Sequence, residues 1–126
     1  MTLILDTGAL VALERNDAKM WRALRLELSS DEPPRTHGGV IAQVWRGGGG
    51  RQSRLALALD SVDVIGLDDL LGRQAGMLLR ATRKTDVIDA AVVAMARSGD
   101  LIATSDVRDI ERLISASGRD IATLPV

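Results

Sequence analysis

Short apolar runs that alternate with helical repeats predict an α/β domain of three layers, with a mostly parallel sheet of about five strands between helices on both faces. Runs such as Leu3-Ile4-Leu5 and Leu101-Ile102-Ala103 are apolar throughout and too short for helices, as buried parallel strands are. A stretch with helical spacing follows each, and strand–helix–strand units return by right-handed crossovers to parallel neighbours. The length, 126 residues and 13.5 kDa, is the common size of one domain, so residues 1–126 read as a single unit. With 46% hydrophobic and 26% charged residues, the composition excludes a disordered chain or a fibre.

The elements follow in order. Thr2 to Leu5 reads as a buried strand and Gly8 to Leu13 as a short helix. Asp17 serves as N-cap for a helix over Ala18 to Leu28, where Trp21, Leu24 and Leu28 share a face with Met20 beside them. That is more apolar surface than a small domain needs, so part of it is expected to meet a partner. Asp31 to Pro34 stops the helix. Arg35 to His37 is too short and polar to read as a strand by pattern alone, and His37 reads as a loop residue on the surface or in packing. A helix over Val40 to Arg46 ends in Gly47 to Gly50, the only low-complexity stretch, which makes a turn. Arg51 to Leu59 is helical by periodicity and Val62 to Leu67 is a strand. Asp69 to Ala81 is amphipathic, with Leu70, Leu71, Ala75, Leu78 and Leu79 available to pack. Val87 to Ala96 is apolar nearly all round, which marks a helix buried inside the domain. Leu101 to Thr104, Asp106 to Ser115 and Ile121 to Leu124 complete the set as strand, helix and strand.

Several function classes fall away. Without cysteine there are no disulfides and no thiolate metal sites. Met1 leads straight into a strand, and no apolar run reaches about 18 residues, so a cytoplasmic protein without a membrane span is expected. A net charge of −1 gives no global pull toward nucleic acid, so any such contact is local. Arg46, Arg51 and Arg54 cluster, as do Arg80, Arg83 and Lys84. Clusters of this kind are commonly solvated helix faces, but a guanidinium fork also suits phosphate, which makes Arg46, Arg51 and Arg83 the candidate contacts to the phosphates of a nucleic acid. Two tryptophans are too few for a stacking platform. Ser53, Ser105 and Thr7 have no partner histidine for a nucleophilic triad, and the glycines at 47 to 50 run into Arg51-Gln52 rather than the Gly-Lys of a phosphate loop.

The aspartates carry the chemistry. Asp6 follows the first strand, Asp86 and Asp89 open the apolar helix three residues apart on one face, and Asp106 follows the strand at 101 to 104, with Thr104, Ser105 and Asp109 beside it. Each alone reads as an N-cap, since an aspartate satisfies free helix amides for about 1 kcal/mol. Together they fall at one edge of one sheet, the edge outside the strands' carboxyl ends where open α/β sheets bind ligands. Carboxylates gathered there repel unless a cation neutralises them, and hard divalent ions such as Mg²⁺ take oxygen ligands. Such a site suits phosphodiester hydrolysis, in which the ion activates a water and steadies the developing charge.

Leu5-Asp6-Thr7-Gly8-Ala9-Leu10, Asp86-Val87-Ile88-Asp89-Ala90-Ala91-Val92-Val93-Ala94-Met95-Ala96 and Ala103-Thr104-Ser105-Asp106 resemble, in order and context, the three acidic motifs of PIN domains, in particular of VapC-type toxins. The resemblance implies a Mg²⁺- or Mn²⁺-dependent endoribonuclease, usually dimeric and held inactive by a small antitoxin protein. It maps Asp6, Asp89 and Asp106 onto the metal-binding acids, with Asp86 and Asp109 as extra carboxylates. The departure lies in Ile41-Ala42-Gln43-Val44-Trp45-Arg46, where the family places a glutamate and this chain has Gln43. An amide oxygen can ligate a metal, but it brings no negative charge and cannot act as a base. Either Asp86 restores the missing charge, or the chain is a PIN-like binding module that only pairs with a partner. A receiver-type phosphoacceptor domain, also an acidic α/β sheet, would want a lysine late in the chain, and the only lysines are Lys19 and Lys84.

Overall fold

In the computed structural model, which describes residues 1–126, strand β1 spans Leu3–Leu5, β2 Arg35–His37, β3 Asp63–Ile65, β4 Leu101–Thr104 and β5 Ala122–Pro125. The helices are α1 Thr7–Glu14, α2 Ala18–Leu28, α3 Gly38–Val44, α4 Ser53–Leu59, α5 Asp69–Thr82, α6 Val87–Met95 and α7 Val107–Ser117. The five strands form one sheet in the order β3-β2-β1-β4-β5, and every pairing is parallel. The α/β class and the number of strands agree with the sequence, and the sheet is wholly rather than mostly parallel. Around it, α1 packs on α2, α3 and α4, while α5, α6 and α7 pack on one another, giving three layers.

β1 takes the centre because all three of its side chains are apolar, and each is at most 1% exposed. It pairs with β4 in the register Leu3 to Leu101 and Leu5 to Ala103. From β1 the chain winds outward one way through β2 and β3, then returns to build β4 and β5 on the other side. The carboxyl ends of β1 and β4 therefore flank the topological switch point, where the sheet leaves a crevice.

Helix α6 lies in the core. Ala90 to Met95 are all buried, and each buried valine contributes about 1.5–3 kcal/mol of hydrophobic stabilisation. Its carboxyl end is clasped by Arg119, whose Nη1 donates to Ala94 O (2.8 Å) and Ala96 O (2.7 Å), a cation placed where the helix dipole favours one.

Where the structure departs from the sequence reading, satisfied polar groups explain it. Arg35–His37 is a genuine strand: Arg35 Nε donates to Asp63 on β3 (3.2 Å), and Thr36 Oγ1 donates to Leu5 O (2.8 Å). His37 is fully buried at the strand end rather than in a loop. Gly39 N donates to its Nδ1 (3.0 Å), which leaves Nε2 to donate to Ile88 O on α6 (3.1 Å), and burial lowers its pKa and keeps the ring neutral. On α2, Met20 and Leu24 point into the domain's own core, so the apolar surplus expected there reduces to Leu26 and Leu28. Leu70 faces out of α5, while Leu71 and Ala75 are buried and Leu78 and Leu79 pack against the core half-buried. Asp17 caps α2 as expected, accepting from Met20 N (2.9 Å). All four of Gly47 to Gly50 adopt left-handed φ, between +64° and +72°, the conformation that glycine alone enters freely.

Candidate functional site

Helix geometry places the acids. Asp6 ends β1 and caps α1: its Oδ1 accepts from Thr7 N (2.7 Å) and its Oδ2 from Thr104 Oγ1 (2.8 Å). The same Thr104 hydroxyl accepts from Asp106 N (3.0 Å), so one buried threonine at the end of β4 ties the first acid to the backbone of the last. Asp86 caps α6 by accepting from Asp89 N (3.0 Å). Asp106 holds the N-cap position of α7 but makes no capping bond, which leaves its carboxylate free. Asp6, Asp86, Asp89 and Asp106, with Gln43 and Ser105, line one cavity of about 820 Å³ at the switch point.

The approach of α1 to β4 depends on Gly8. A Cβ there would lie 2.3 Å from Ser105 Oγ and 2.8 Å from Ser105 N, too close to backbone to be absorbed. Gln43 reaches the cavity from α3, where Thr7 Oγ1 donates to its Oε1. In the sequence Thr7 is only a hydroxyl without a histidine; its tie to Gln43 depends on how α1 and α3 pack.

The electrostatics express crowding. Asp89 is pushed up to about 7, first by burial and then by Asp6, Asp86, Asp106 and Asp109. Asp6 is also raised, again chiefly by burial. Asp106 is raised by burial and by Asp109 beside it, while Asp109 is lowered because Lys84 Nζ bonds it. These acids share one field, yet as the side chains lie no three of them stand close enough to hold an ion. The donors are all oxygens, the class that hard divalent cations take, and the nearest imidazole is spent on Gly39 and Ile88.

The arginines divide. Arg46 Nη1 donates to Ala42 O (3.0 Å) and Trp45 O (2.7 Å), closing the end of α3, and neither Arg46 nor Arg51 lines the acidic cavity. Arg83 lines a neighbouring cavity that reaches Asp86 and Asp89.

No protein-family model matches the chain, and neither does any curated protein. Solved structures do. A chain of VapBC2 from Rickettsia felis, bound to a DNA fragment from the promoter, superposes with a TM-score of 0.73 over 98% of this chain and 99% of its own, at 15% identity. The chain has the PIN-like fold of VapC-type proteins. VapBC-1 from nontypeable Haemophilus influenzae gives 0.68 at 13% identity, covering 99% of this chain and 98% of its own. FitAB bound to the IR36 DNA fragment gives 0.65 at 14% identity, covering 98% and 94%. Identities this low speak for the fold.

Proposed function

We propose that this chain is a Mg²⁺- or Mn²⁺-dependent endoribonuclease, the toxin of a toxin–antitoxin pair, which hydrolyses RNA phosphodiester bonds at the acidic cavity. The observation that carries the reading is the convergence of Asp6, Asp86, Asp89 and Asp106 on one cavity at the switch point, where burial first and then the neighbouring carboxylates push Asp89 up to about 7. Carboxylates that raise one another's pKa are an incomplete arrangement, and a hard cation completes it. Asp6, Asp89 and Asp106 would hold the ion, which when bound supplies an activated water and a counter-charge to the phosphate. The chain's own contribution is orientation. Thr104 fixes Asp6 by donating to it and steadies Asp106 through its amide; Asp86 adds charge at the cavity's rim; Gln43 offers an oxygen but takes no proton. No helix is long and apolar enough to cross a membrane, in keeping with work in the cytoplasm. The antitoxin partner is drawn from the VapBC and FitAB neighbours, and a homodimer from the resemblance to VapC-type toxins.

The test is RNA cleavage by protein stripped with EDTA and restored with Mg²⁺ or Mn²⁺. Asp6→Asn, Asp89→Asn and Asp106→Asn should each lose at least about tenfold, since even groups behind a metal's ligands cost that much. Full cleavage by Asp6→Asn or Asp106→Asn overturns the assignment. One observation favours a second reading, a binding module without catalysis: Gln43 stands neutral in the cavity with its oxygen already accepting from Thr7.

A further inference from the structure

On the far side of Asp86 and Asp89 a second cavity, of about 440 Å³, opens between the α5–α6 junction and α7. No apolar side chain lines it. Its cations are Arg83, Lys84 and Arg112, brought together from segments almost thirty positions apart, and its remaining acid is Asp109. Lys84 is already committed to Asp109. Arg83 and Arg112 make no ion pair and no side-chain hydrogen bond anywhere in the chain, so two guanidinium groups present unspent donors to one polar cavity. Arg83 also closes α5 with a left-handed backbone (φ 58°, ψ 26°), a position that glycine or asparagine fills most easily. The helix thus ends on an arginine against local preference, and that end feeds directly into Lys84 and then Asp86.

We propose that Arg83, Lys84 and Arg112 form a phosphate subsite that grips the nucleic-acid strand one step away from the bond presented to the acidic cavity. The inference rests on the nuclease reading of that cavity. Two cavities that share the wall Asp86–Asp89 offer opposite surfaces, carboxylates on one side and guanidinium forks on the other, and a polyanion with regularly spaced charges can bridge both. A free anion is a poor occupant because it would face Asp86 and Asp89 unaided. The Lys84–Asp109 pair has a place in this arrangement: Asp109 fixes Lys84 at the junction and leaves two of its three ammonium donors for the strand.

The measurement is binding of a short, mixed-sequence, fluorescein-labelled single-stranded RNA with Mg²⁺, by anisotropy over a range of salt, in an Asp106→Asn background that silences cleavage. Arg112→Gln, and Arg83→Asn, which keeps the left-handed backbone, should each weaken binding about three- to tenfold and make the salt dependence shallower by about 0.7 per lost contact, the slope expected for single strands. Arg73→Gln, on exposed α5 and paired only with Asp69, is the control and should leave the slope unchanged. Thermal unfolding at the parent's temperature separates lost contacts from lost fold. If the wild type cuts RNA but both cavity variants bind with the parent's affinity and slope, the subsite is wrong and the nuclease stands. If the wild type neither cuts nor binds RNA with Mg²⁺ or Mn²⁺, both fall.

Discussion

Replacing Asp89 by asparagine should make the metal-free protein more stable while removing its activity, and the gain should depend on pH. In the folded chain Asp89 titrates at about 7 against an ordinary 3.8, so between those values the native state holds a proton that the unfolded state has released. Stability must then fall as pH rises from about 4 to about 7 and level off above. At ~1.36 kcal/mol for each pKa unit, the full cost of ionisation is capped at about 4 kcal/mol. Asp89 is only half-buried, and water screens part of that field, so about 1–2 kcal/mol is the expected share. The asparagine side chain keeps the shape and drops the charge. The variant should exceed the wild type by only about a third of that amount at pH 5 and by the full amount, about 1–2 kcal/mol, at pH 8, or about 3–8 °C in melting temperature for a domain this size. The assay is thermal unfolding by circular dichroism in EDTA from pH 5 to pH 8. Adding Mg²⁺ at a hundredfold excess over its Kd should stabilise the wild type by ~2.7 kcal/mol and the variant far less, because a ligand stabilises only the state that binds it. A difference between the two proteins that stays flat with pH, or a variant that melts lower at pH 8, would refute the reasoning.

Two other outcomes test the site's construction. If Asp86 supplies the charge that Gln43 lacks, Gln43→Glu should tighten Mn²⁺ by calorimetry and partly rescue Asp86→Asn, with a coupling between the two positions of at least about 0.5 kcal/mol; a wild type that binds no Mn²⁺ beside a Gln43→Glu protein that binds it and gains nuclease activity identifies the chain as a binding module. Gly8→Ala puts a methyl 2.8 Å from a backbone nitrogen, so α1 must shift away from β4. The protein should lose about 1–3 kcal/mol in denaturant unfolding, with cleavage falling further than stability alone explains, and wild-type behaviour in both would show that the approach is not needed.

The strands and helices with a consistent period were legible in the sequence, and α2 was read to the residue. What was not legible depended on partners distant in the chain. Arg35-Thr36-His37 has no strand signature because its polar groups are satisfied by Asp63, Leu5 and Ile88, none of them a neighbour in sequence. The inward face of α2 was misjudged for a related reason: Trp21, Leu24 and Leu28 satisfy the helical period, but the turn of α2 against α1 selects Met20 and Leu24 and leaves Leu28 half-exposed. At the site, Asp6, Asp86, Asp89 and Asp106 could be placed on one edge because parallel topology sends every strand's carboxyl end the same way. The links through Thr104, the tie between Thr7 and Gln43, and the meeting of Arg83 with Arg112 are products of packing with no spacing to announce them.

The capping and functional readings of the aspartates are not alternatives. Asp6 caps α1 with Oδ1 and Asp86 caps α6 with Oδ1, and in each case a helix start fixes one carboxylate oxygen at the mouth of the crevice. A cap therefore positions a carboxylate without requiring any residue to be spared for the task, and a helix N-terminus tolerates the negative charge better than other places on the backbone do. Asp106 shows the arrangement released: it occupies the cap position, makes no capping bond, and its amide is held by Thr104 instead. Asp89 has the opposite circumstance. Its own amide feeds Asp86, its side chain has no donor, and burial together with every carboxylate around it pushes its pKa up. Of the four, Asp89 has the least to keep it ionised within the chain itself and the most to gain from a cation, which is why its substitution separates stability from activity most cleanly.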